Sequence, residues 1–163
     1  MSISDLGSLG EFVASIAVLV TLVLLLIQFR AARRELSGQV TREVKRHNNN
    51  TFHQLTQDPT LMALHVRGQK EFESLNEEEK LRWLIWMYTW ISQTEDGYLA
   101  KRSGIPDMSW VDSYIVGVAS TLRSPGGVII WPKLRGWFDE EFVRVIDDKI
   151  AEDSATWLQM LLD

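Results

Sequence analysis

From Phe12 to Phe29 the chain reads FVASIAVLVTLVLLLIQF, with no charge, proline or glycine. A helix of that length extends about 27 Å at ~1.5 Å per residue, close to the thickness of a hydrocarbon core. This pattern predicts one transmembrane helix over residues 12–29, preceded by a short extracytoplasmic N-terminus, 1–11. Ser8 and Glu11 have capping-box spacing, which predicts a helix start at Ser8. Beyond the apolar run, Leu36, Val40, Val44 and His47 recur at three- and four-residue spacing, with Thr51 and Leu55 extending the stripe. The helix is expected to continue as a connector over 30–56.

Residues 57–163 read as one small helical domain. Asp58–Pro59 matches an N-cap followed by proline at the first helical position, opening a short helix from Thr60 to about Val66 that ends near Gly68. Asn76 and Glu79 repeat the capping-box spacing. The next helix, Lys80 to a stop at Gly104, carries apolar residues nearly all round. Leu81, Leu84, Ile85, Tyr88 and Ile91 form one face, Trp83, Met87 and Trp90 another, and Trp86 a third. Such a helix is a domain core or a subunit interface, so Trp83, Trp86, Met87 and Trp90 are the candidate core or interface residues. Ser109 and Asp112 suit the start of a helix running to about Arg123. Ser124–Gly127 reads as a turn, followed by Trp131–Pro132 and a short helix near Lys133–Phe138. Asp139 can cap a last helix whose inward face is Phe142, Val143, Ile146 and Ile150. The tail from Ser154, with Trp157, Leu158, Leu161 and Leu162, is rich enough in apolar side chains to dock on the domain or a neighbour. No segment sustains a two-residue alternation, so the fold class is all-α.

Charge adds orientation. Arg30, Arg33, Arg34, Arg42, Lys45 and Arg46 follow the apolar run, and no Lys or Arg precedes it. The positive-inside rule places the C-terminal domain in the cytoplasm and the N-terminus outside. The same asymmetry, with no small-x-small site after the run, argues for a retained anchor over a cleaved signal peptide. Arg30, Arg33 and Arg34 are placed to meet lipid headgroups. Within the anchor, Ala14, Ala17 and Thr21 form a small-residue stripe on which neighbouring anchors can approach closely. Six of the 17 basic residues and four of the 22 acidic ones precede Asn48, which leaves the remainder acidic and speaks against nucleic acid as a partner.

The segments Leu6–Phe12, Ile16–Thr21 and Gln28-x-Arg30-x-x-x-Arg34 resemble the N-terminal signature of a group of uncharacterised bacterial single-pass membrane proteins. Trp131, Arg135, Trp137, Phe138 and Phe142 resemble the end of that group's small helical cytoplasmic domain. The resemblance covers the first quarter of the chain and thins between Asn48 and Gly127. It implies attachment to the bacterial inner membrane and implies no activity.

Candidate chemistry is sparse. His47, His53 and His65 are scattered, there is no cysteine, and surface or capping roles are expected for them with no metal or cofactor. Glu95 and Asp96 are adjacent and so diverge on a helix; pairing of Glu95 with Arg102 or Asp96 with Lys101 is expected. The expected function is therefore noncatalytic: a membrane-anchored scaffold or assembly protein, not an enzyme, contacting membrane lipids and forming a homo-oligomer or docking a protein partner. An oligomeric pore is the alternative, although only Ser15, Thr21 and Gln28 offer polar groups to a lumen.

Overall fold

The computed structural model describes residues 3–152, with side chains from Phe12 except that of Val13. Six α-helices and no strand occur among the described residues: α1 Ile3–Gln57, α2 Pro59–Glu71, α3 Glu77–Arg102, α4 Val111–Leu122, α5 Pro125–Leu134 and α6 Glu140–Ala151. Two 3-10 turns, Phe72–Ser74 and Arg135–Trp137, follow α2 and α5. The chain divides into two compact units, Met1–Gln39 and Val40–Asp163. The tail from Ser154 lies outside the described residues.

In the first unit α1 is already helical at Ile3, so the helix start lies before Ser8. The apolar segment from Ala14 is long and apolar enough to cross a membrane, and none of its most hydrophobic window is buried. Phe12, Leu19 and Phe29 are all more than 60% exposed. Thr21 satisfies its hydroxyl within the helix by donating to the Ala17 carbonyl at 2.8 Å.

The second unit begins inside α1. Asn48, Thr51 and Leu55 are buried, Val44 and Phe52 are partly buried, and His47 faces outward to Glu43. The inward stripe thus runs through Asn48 where His47 was expected. Asn48 Nδ2 donates to the Val44 and Gln93 carbonyls, and Thr51 donates to Gln93 Oε1 at 2.6 Å. The bonds to Gln93 tie α1 to α3.

Local signals set most helix ends. Asp58 accepts from Thr60 N and Leu61 N, with Pro59 at the first position of α2. Asn76 and Glu79 complete the capping box of α3, and Asp139 accepts from Glu141 N and Phe142 N at the start of α6. α3 ends at Arg102, followed by Gly104 with φ +80°, the left-handed geometry that glycine adopts without steric cost.

Three expected boundaries move. α2 passes through Gly68 to Glu71. A Cβ at Gly68 would lie 2.4 Å from the Trp83 ring, so this glycine serves close packing rather than a helix stop. α4 begins at Val111 with Trp110, which has no side-chain acceptor, at the N-cap position, and Asp112 in its first turn pairs with Lys101. The Ser124–Gly127 segment is not a free turn. Ser124 caps α5 by accepting from Gly127 N, and the helix includes Trp131 and Pro132. Pro132 lies inside the last turn of α5, where it cannot donate to the Val128 carbonyl, and the chain tightens into the 3-10 turn just beyond it.

The core is built on α3. Trp83, Met87 and Ile91 are fully buried, Trp90 nearly so, and Trp86 is 7% exposed. Around them pack Leu61, Leu64, Val111, Ile115, Val118, Leu122, Ile130, Phe142 and Ile146. Burying a side chain of this size contributes ~1.5–3 kcal/mol, and several aromatic rings make tilted or edge contacts that add to it.

Candidate functional site

His65, expected in a surface or capping role, is buried against three indoles. Trp83 Nε1 donates to His65 Nδ1 at 3.3 Å, and the Trp86 ring stands edge-on at 4.5 Å. Because Nδ1 accepts, Nε2 carries the proton, and the Gln69 amide 2.8 Å away must turn its oxygen to it. Burial lowers the imidazole pKa from 6.5 to about 4, so His65 is neutral at pH 7. With both ring nitrogens committed, His65 holds the core together. Among the described residues no group of three or more His, Asp or Glu side chains is arranged to hold a metal ion.

The basic end of α3 reaches across to other elements. Lys101 pairs with Asp112 at 2.6 Å, and Arg102 bridges Asp139 and Glu141 at 3.2 and 2.6 Å. The expected pairings of Arg102 with Glu95 and Lys101 with Asp96 do not form, because the loops fold acids of α4 and α6 against these cations. Glu95 accepts from the Asp139 backbone N–H. Burial raises the pKa of both Glu95 and Asp96; the Asp139 N–H opposes the rise at Glu95, and His47 opposes it at Asp96. The two carboxylates thus serve separate contacts and do not converge on a common point. Asp147 accepts from Trp131 Nε1 at 2.7 Å and Arg135 at 2.6 Å, so Trp131 is anchored inside the domain.

One outward-facing feature of the domain is apolar. Trp83, Trp86, Met87 and Trp90 merge into one buried face, and Ile91 joins it. Leu81, Ile85 and Tyr88 remain on the opposite side, 60%, 55% and 38% exposed. With Leu84, Lys133, Leu134 and Trp137 they line an open groove of about 550 Å³. Trp137 closes one end, 74% exposed and edge-on to Tyr88 at 6.4 Å. A smaller recess of about 240 Å³ is bounded by Phe52, Trp90, Ser113, Tyr114 and Gly117. The signal for the groove is present in the spacing of Leu81, Leu84, Ile85 and Tyr88. What spacing cannot show is which of two apolar faces the other helices cover.

The remaining candidates lie in the first unit. Ala14, Ala17 and Thr21 are exposed along α1. Arg30, Arg33 and Arg34 are also exposed, with the Arg33 guanidinium 5.9 Å from the Phe29 ring centre. No family model matches the chain, and neither a curated protein nor a solved structure matches it.

Proposed function

We propose that this protein is a noncatalytic scaffold anchored in the bacterial inner membrane by α1, with its helical domain at the cytoplasmic face, where it self-associates or docks a protein partner. The observation that carries the reading is the apolar segment of α1, which has none of its most hydrophobic window buried. Left in water, each large aliphatic side chain there forgoes ~1.5–3 kcal/mol of transfer free energy, and a lipid bilayer supplies that environment. Arg30, Arg33 and Arg34 support the orientation, since basic residues are retained on the cytoplasmic side. The exposed groove on α3 supports an assembly role, because contiguous apolar surface on a folded domain marks contact sites.

The test is fractionation followed by protease accessibility. The full chain should stay in membranes through an alkaline carbonate wash and leave only with detergent. In inside-out vesicles an added protease should digest the C-terminal domain. Release by carbonate would refute the anchor, and digestion only in right-side-out spheroplasts would refute the orientation.

A further inference from the structure

The exposed stripe on α3 has the size, pattern and charge layout of a self-docking surface. Leu81, Ile85 and Tyr88 stand one helical turn apart and carry no charge between them. Among the described residues of the second unit, the adjoining Trp137 is the most exposed large apolar side chain, at 74%. From these exposures and the size of the side chains, roughly 450 Å² of apolar surface is presented per copy. Two copies would bury about twice that, close to the ~1,000 Å² lower bound for a specific interface. An interface of that size is weak between freely diffusing partners, but confinement to one membrane raises the effective concentration.

The charges fix the direction of pairing. Glu77, Glu78 and Glu79 crowd the N-terminal end of α3. Lys80 pairs with Glu77 and Arg67 with Glu79, so parallel pairing would set the Glu78 carboxylates against each other and is disfavoured by like-charge repulsion. Antiparallel pairing about Ile85 places Glu78, seven residues to one side, opposite the partner subunit's Ser92, seven residues to the other. It also sets Leu81 within one residue's rise of the partner subunit's Tyr88, close enough for the two apolar side chains to touch. A two-fold axis makes the contact self-complementary and closed, so assembly stops at two.

We propose that two copies of this chain dock antiparallel through α3, with Ile85 at the two-fold axis and Leu81, Tyr88 and Trp137 around it. This rests on the anchored-scaffold reading for the shared membrane plane that brings the copies together.

The absence of cysteine makes the test direct. Single-cysteine variants of the full chain, Ile85→Cys, Glu73→Cys and Ala17→Cys, are oxidised in native membranes. A residue on the axis meets its own copy within disulfide range, so Ile85→Cys should yield at least about tenfold more covalent dimer than Glu73→Cys. Single-molecule photobleaching in native membranes should count two copies for wild type and one for Ile85→Glu, and Ile85→Glu should keep the wild-type helical circular dichroism because Ile85 is exposed. Covalent dimer from Ala17→Cys without any from Ile85→Cys would mean that only the anchors associate, and would overturn the docking. An Ile85→Cys thiol that takes on the fluorescence of a lipid environment when labelled would overturn it in favour of membrane contact. Carbonate extraction separates the two readings. Protein retained by the membrane with no Ile85 cross-link sinks the docking alone, and protein released yet cross-linked sinks the anchor alone.

Discussion

Replacing Gly126 with alanine tests the packing of α2 on α5 at its tightest point. A Cβ on Gly126 would lie 1.8 Å from the Gly68 carbonyl oxygen and 3.0 Å from the Trp83 ring. A backbone carbonyl inside a helix cannot turn aside, so the two helices must separate by more than about 1 Å to restore van der Waals distance. Overpacking of this kind costs ~1–3 kcal/mol, and more where backbone must move. Alanine offsets up to ~1 kcal/mol through its better helix propensity. The net expectation is a loss of about 2 kcal/mol, or a fall in Tm of roughly 4–12 °C for a domain of this size. Gly136→Ala is the matched control, since nothing lies within 4 Å of its Cβ position. It should be neutral or stabilising by up to ~1 kcal/mol. The assay is thermal unfolding of the full chain in detergent, followed by tryptophan fluorescence. If Gly126→Ala melts with wild type while Gly136→Ala behaves as expected, the close approach of α2 and α5 is wrong.

Acid should weaken the domain through His65. Its pKa is depressed by burial to about 4, so the unfolded chain takes up the proton first. Stability from this group is complete above pH ~6.5 and declines as pH falls toward 4, by up to about 3 kcal/mol. Denaturant titrations at pH 7 and pH 4.5 should show a smaller loss in His65→Phe than in wild type, and equal losses would refute the assignment. Asp147→Ala leaves the buried Trp131 indole N–H without its acceptor, so a cost of ~1–3 kcal/mol is expected in urea unfolding. Ser124→Ala removes the cap on Gly127 N and should cost ~1 kcal/mol in the same assay; no change would mean that Pro125 alone starts α5.

The helix ends written as side chain against backbone were legible in the sequence, because a cap is decided within four residues. Asp58, Asn76 and Asp139 each cap the helix that their spacing predicted. The glycines were harder. Gly104 ends a helix because its φ is positive, whereas Gly68 lies inside one because another helix crosses it, and the same residue type cannot announce which role it has. Charge partners failed for a related reason. Lys101 and Arg102 had acids within reach on their own helix, but the α3–α4 loop and the 3-10 turn before α6 bring closer ones. His65 was illegible because its burial depends on Trp83 and Trp86, eighteen residues or more away. The groove was half legible: its stripe is visible in α3, but its other wall comes from Lys133, Leu134 and Trp137.

The C-terminal part of α1 has a consequence for the order in which the second unit can form. Its polar and aromatic groups find partners far downstream: Asn48 and Thr51 on Gln93, Thr41 on the Pro106 carbonyl, and Asn49 on Tyr114, up to 65 residues later. Contacts of such long sequence separation close slowly, because the loop entropy is lost before the contact is gained. During synthesis α1 emerges first and waits for α3 and α4 before its inward stripe is covered. In that interval the tryptophan-rich face of α3 is also open, which is when a chain is most exposed to aggregation. The domain therefore closes late, and slower elongation ahead of α4 would prolong its most vulnerable state.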